Sequence, residues 1–84
     1  MLTEYIEVAM RRAHYELMED GRFFASIKSL KGLWADGDTL EECRRNLLDT
    51  LEDWLFISIR ERLPIPTIDG VSLAPNRELA KVTA

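Results

Sequence analysis

A helix with marked ends limits this chain more than any other feature of its sequence. Thr39 followed three residues later by Glu42 is a capping box. The Thr39 hydroxyl would accept from the backbone N–H of Glu42, and the Glu42 carboxylate would reach back to the N–H of Thr39. Pro64 and Pro66 close the other end, because neither can continue the helical ladder and each pushes the residue before it out of helical geometry. The pattern predicts one helix from about Leu40 to Leu63. Leu40, Cys43, Leu47, Leu51 and Trp54 recur at spacings of three and four, and Leu48 and Leu55 widen the stripe; Glu42, Arg45, Asn46, Asp49 and Asp53 lie opposite. Leu47 and Leu51 are expected among its most buried residues. Arg44 falls within the stripe by angle and reads as a snorkelling stem at its rim. Beyond Trp54 the helix is apolar around most of its circumference. Trp54, Phe56, Ile57 and Ile59 cannot all face one sheet, so they are the expected interface of a homo-oligomer, a dimer or tetramer.

A helix with one broad apolar face needs a surface to cover, and the preceding residues supply one. Thr3 can cap a short first helix with Glu4 and Glu7 in its opening turn, Arg11 and Arg12 at its end, and Tyr5, Ile6, Ala9, Met10 and Ala13 as its stripe. From His14 the pattern becomes strand-like. Asp20-Gly21 between two such runs predicts a hairpin with a two-residue turn. In that register Leu17 faces Phe24 and Met18 faces Phe23, which puts Tyr15, Leu17 and Phe24 on one face and Met18, Phe23, Ala25 and Ile27 on the other. One face takes the long helix; the other is left for the first helix or a partner. Leu33-Trp34-Ala35 forms a third strand before the Asp36-Gly37-Asp38 corner, and Val71-Ser72-Leu73 is a candidate fourth. The expected fold is α+β: a three- to four-stranded antiparallel sheet under one long helix, with a short N-terminal helix. Residues 1–75 form a single domain and 76–84 a tail.

With 84 residues the chain is one small domain, a size at which a single core is marginal and association helps. Its one cysteine, Cys43, excludes an intramolecular disulfide and falls on the apolar helix face, as a core thiol does. The N-terminal residues lack the apolar run of a signal peptide, and nowhere do the apolar residues run long enough for a membrane span. A cytoplasmic protein without membrane attachment is expected. Fifteen acidic against eleven basic residues give a net charge of −4, the wrong sign for gripping phosphates and the right one for a basic partner.

Several motifs, taken in order, resemble the HicB-like antitoxin family. They are Glu19-Asp20-Gly21-Arg22-Phe23-Phe24-Ala25-Ser26-Ile27, then the run from Ser29 to Glu42 with its Gly37-Asp38-Thr39 helix start, then Glu52-Asp53-Trp54-Leu55, then Leu63-Pro64-Ile65-Pro66. The resemblance spans roughly residues 13 to 70. It implies a partial ribonuclease-H-like β-β-β-α-β core and an antitoxin that sequesters a small basic mRNA-cleaving toxin of the HicA type. Lys31 departs from the family's usual proline before the glycine, and Arg44 stands where a small residue is usual. Relatives that repress their own operon carry a C-terminal DNA-binding module. Only fourteen residues follow Gly70, so direct DNA binding is not expected.

The fold that the resemblance implies raises a nuclease question, because ribonuclease H works with carboxylates around two metal ions. Asp36 and Asp38 are the candidates, with Asp20 and Glu42 beyond them. Each already has a local task, as turn, corner or capping residue, so neither catalysis nor a metal or cofactor is expected. His14, the lone histidine, has no nucleophile arranged with it. Phe23 and Phe24 beside Arg22 could stack bases, but no basic patch surrounds them. The expected anchors for a partner are therefore Tyr15, Leu17 and Phe24 with Trp34 at the edge, or Met18 and Phe23 if the hairpin slips. The alternative is a nucleic-acid-binding or degenerate nuclease-like protein using the sheet face or the Asp36/Asp38 corner.

Overall fold

A computed structural model describes residues 2–73. In chain order it comprises α1 (Leu2–Arg11), β1 (Ala13–Leu17), β2 (Phe23–Ile27), β3 (Trp34–Gly37) and α2 (Leu40–Arg60). The strands form one antiparallel sheet in the order β1-β2-β3. The α+β expectation holds, with three strands. Both helices lie on the same side of the sheet: α1 packs beside α2, and Tyr5, Val8 and Ala9 join Ala25, Ile27, Ala35, Cys43, Leu47, Leu51 and Leu55 in one core. Leu47 and Leu51 are fully buried. The stripe differs from the expected one at its ends. Leu40 is 49% exposed, whereas Leu55 and Ser58 carry the buried line through to the last turn.

Small residues set how closely α2 approaches the sheet. Ala25 and Ala35 pair across β2 and β3 beneath it. At Gly37 a side chain would have no room, since a Cβ there would sit 2.5 Å from the backbone nitrogen of Cys43 and 2.9 Å from its Cα. Cys43 is wholly buried at this contact, and burial pushes its thiol pKa up, consistent with a core thiol.

The hairpin is one residue out of the expected register. The turn is not a two-residue turn at Asp20-Gly21. Met18 N–H donates to the Arg22 carbonyl (2.7 Å) and Gly21 N–H to the Met18 carbonyl (3.0 Å), which makes a three-residue loop. Gly21 takes the left-handed position (φ 87°), and the Asp20 carboxylate accepts from Arg22 N–H at 3.0 Å. Leu17 therefore pairs with Phe23 and Glu16 with Phe24. A slip of one residue moves side chains to the other face. Ala13, Tyr15, Leu17, Phe23, Ala25 and Ile27 share the helix-covered side, and His14, Glu16, Phe24, Ser26, Trp34 and Asp36 share the other.

The turn geometry expected at Asp20-Gly21 occurs instead at Asp69-Gly70, where both residues have positive φ (50° and 78°) and Ile68 and Val71 exchange hydrogen bonds of 3.0 and 2.8 Å. This small bridge stands in place of the fourth strand expected at Val71-Ser72-Leu73. The segment is held elsewhere: the buried Tyr5 hydroxyl donates to the Pro66 carbonyl, Arg12 grips Asp69, and Ile68 is buried. Its hydrogen bond to Arg12 lowers the Asp69 carboxyl below its ordinary pKa.

Both helix ends also differ from expectation. Thr3 lies inside α1 rather than capping it. Helix α2 stops at Arg60, three residues early, because Arg62 adopts a left-handed conformation (φ 58°) and Leu63 N–H turns back to the Ser58 carbonyl at 2.8 Å. That is a Schellman closure, and it uses up the residues just before Pro64. The expected tail, 76–84, lies outside the described residues.

Leu47→Ala and Leu51→Ala should each lower unfolding free energy by about 2–5 kcal/mol, read from denaturant midpoints. Losses below about 0.5 kcal/mol at both positions would mean that α2 presents a different face to the sheet.

Candidate functional site

The side of the sheet away from the helices carries two large aromatic residues that are not needed to fill the core. Phe24 on β2 and Trp34 on β3 are diagonal neighbours, and their rings stack with centroids 5.6 Å apart and planes inclined by 23°. Such a pair presents a broad apolar surface. Trp34 is 54% exposed and Phe24 half-buried. Nothing among the described residues covers them, because α1 has joined α2 on the opposite side.

Acidic groups border the pair. Glu16 lies directly across from Phe24 on β1, and Asp36 directly across from it on β3. Arg22, from the hairpin loop, pairs with Asp36 at 3.3 Å and also with Asp38, and the two carboxylates hold its guanidinium firmly protonated. The Asp36 carbonyl accepts from the Asn46 amide at 2.8 Å, tying β3 to α2. The capping box is present with one change of partner. The Thr39 hydroxyl accepts from Glu42 N–H (3.0 Å), while the Glu42 carboxylate accepts from Asp38 N–H (2.6 Å) rather than from that of Thr39. Asp20, Asp36, Asp38 and Glu42, the four acids of the nuclease question, therefore all have partners within the chain. Among the described residues no three His, Cys, Asp or Glu side chains gather into a metal-holding group. His14 is exposed on the same open side.

The four partner anchors expected from sequence are thus divided. Phe24 and Trp34 come together on the open side. Tyr15 and Leu17 lie on the helix-covered side, Leu17 at the exposed hairpin end and Tyr15 half-buried beside α2. Of the alternative set, Phe23 shares that covered side and Met18 sits at the loop. The Phe24–Trp34 stack is set by the β2–β3 register; which β1 side chains share its side is decided by the three-residue loop. The Glu19-Asp20-Gly21 run, in which Gly follows two good type I turn residues, was the available signal for it.

The expected oligomer residues lie on the helical layer. Phe56, Ile57 and Ile59 are 64%, 46% and 37% exposed, and the Arg60 guanidinium sits 5.5 Å over the Phe56 ring. Trp54 is half-buried against the core instead. Phe56 and Ile59 border a cavity of about 340 Å³ with Leu2, Ile6 and Leu55.

The chain is thus a small α+β domain, with a helical layer on one side of a three-stranded sheet and an uncovered aromatic face on the other. The UPF0150-like family matches residues 4–66, three quarters of the chain, and this chain belongs to that family. A solved structure, TTHA0281 from Thermus thermophilus, is similar over 87% of this chain and 94% of its own, at 39% identity and a TM-score of 0.79. No curated protein matches the chain. No helix among the described residues is long and apolar enough to cross a membrane.

Proposed function

We propose that this protein is an antitoxin of the HicB-like kind, which binds and blocks a small basic mRNA-cleaving ribonuclease of the HicA type in the cytoplasm. The observation that carries this reading is the uncovered Phe24–Trp34 stack between Glu16 and Asp36. Paired aromatics at the centre of a patch supply anchors, and the acidic border with a net charge of −4 attracts a basic partner and sets its orientation. The UPF0150-like family includes HicB-like antitoxins, which supports the same reading. Of the sequence-derived anchors, Phe24 and Trp34 form this surface; Tyr15 and Leu17 lie outside it. The stack could instead receive unpaired bases, but the charges beside it are of the sign that repels phosphate.

Co-expression with a small basic protein encoded beside its gene, the neighbour that this reading predicts, tests the proposal. The two proteins should co-purify, and this one should relieve any growth arrest its neighbour causes. Phe24→Ala and Trp34→Ala should each weaken the complex by roughly 1–3 kcal/mol while leaving the melting temperature nearly unchanged, and Leu17→Ala should leave binding intact. Failure to co-purify, together with RNA binding by the isolated protein that weakens steeply with salt, would favour the nucleic-acid reading instead.

The protein is further proposed to act without hydrolytic chemistry of its own. Divalent-metal-dependent cleavage of RNA or an RNA–DNA hybrid, abolished by Asp36→Asn or Asp38→Asn, would contradict this. Both carboxylates sit in exposed ion pairs, so either substitution should change stability by less than about 1 kcal/mol.

The exposed end of α2 is proposed to hold a homo-oligomer together, most simply a two-fold dimer. Light scattering at high micromolar concentration should give at least twice the monomer mass, and Phe56→Glu should return it to the monomer.

A further inference from the structure

We propose that the groove between α1, β1 and the first half of α2 binds a small amphipathic carboxylate, an acyl or aryl chain ending in a single carboxyl group. The cavity is about 600 Å³, within the range of roughly 300–1,000 Å³ usual for small-molecule sites. Its walls are apolar: Ile6 and Met10 come from α1, Leu40 and Leu48 from α2. Leu40 is half exposed there, although Cys43 and Leu47, the next members of its stripe, are wholly buried.

The polar groups of the groove are mainly cationic. Arg11 and Arg44 line it, and neither takes part in an ion pair among the described residues. Glu7 is the one acidic residue in the lining, so the groove is net positive on a chain of net charge −4. Tyr15 lines it as well. Burial raises the pKa of its phenol, against a smaller lowering by Arg44, so at neutral pH the hydroxyl keeps its proton and can donate. Arg44 is the residue that interrupts the apolar stripe of α2, and this groove gives that interruption a use.

Two guanidiniums and a phenol can all donate, and a carboxylate is an anionic group able to accept from more than one of them. A hydrocarbon tail matches the walls. An amine would be repelled by the net positive charge, and a neutral alcohol would make no use of it. The site lies on the helical side of the sheet and does not depend on the antitoxin reading, which concerns the opposite side.

Titration of the full chain with decanoate, followed by amide chemical shifts, tests this. Saturable shifts should centre on residues 6–15 and 40–48, with affinity at least about tenfold above that for decanol and no binding of decylamine. Arg11→Met and Arg44→Met keep the apolar stems and should each reduce the preference for decanoate over decanol, with unchanged circular dichroism; Arg44→Lys should retain part of it. The proposal is overturned by equal affinity for decanoate and decanol, by shifts centred on the Phe56 end of α2, or by indifference to both arginine substitutions. It is also overturned if diluting the protein alone moves the same resonances, which would identify a second copy as the occupant.

Discussion

The close approach of the first turn of α2 to the end of β3 governs the arrangement of the rest. Gly37 has no side chain, and the backbone of Cys43 occupies the space where one would be. With Ala25 and Ala35 as the adjoining floor, the helix lies close against one side of the sheet, and its fully buried line of Cys43, Leu47, Leu51 and Leu55 forms there. Thr39 and Glu42 fix the helix start next to this contact, and Asn46 ties the second turn back to Asp36. Position and direction of α2 are thus set within its first two turns.

Once α2 lies there, one sheet side is committed. Helix α1 is too short to be stable alone and needs an apolar surface. It finds one beside α2, where Tyr5, Val8 and Ala9 become buried and the Tyr5 hydroxyl anchors the segment after α2 through Pro66. The other sheet side is left without a cover, and the sequence places Phe24 and Trp34 on it. An apolar surface that the chain does not use for its own core is the feature that most favours a binding role.

Much of this could be read from the residues. The helix start, the buried pair Leu47 and Leu51, the three strands and their order all follow from capping chemistry and period. What could not be read was decided by geometry of single residues. A loop of three residues rather than two depends on whether Asp20 takes a right- or left-handed conformation, and the dipeptide Asp-Gly permits both. The same dipeptide at Asp69-Gly70 adopts the other form. That one dihedral choice separated Phe24 from Leu17 and put Glu16 beside it, and so changed the surface expected to meet a partner. The end of α2 was likewise beyond pattern, because a Schellman closure with a left-handed Arg62 carries no glycine to announce it.

The acids around the aromatic pair bear on whether this surface binds or reacts. Two-metal hydrolysis needs carboxylates aimed at shared ions and not otherwise engaged. Here Asp36 and Asp38 both pair with Arg22, Asp20 accepts from the backbone of Arg22, and Glu42 accepts from the backbone of Asp38. Each acid holds a loop or a helix start in place. The pairs of Asp36 and Asp38 with Arg22 are exposed and contribute little to stability, whereas the contacts of Asp20 and Glu42 with backbone N–H groups shape the hairpin loop and the start of α2. The same groups are useful left as they are. They keep the border of the Phe24–Trp34 stack anionic, which is the property that the proposed interface with a basic partner calls for.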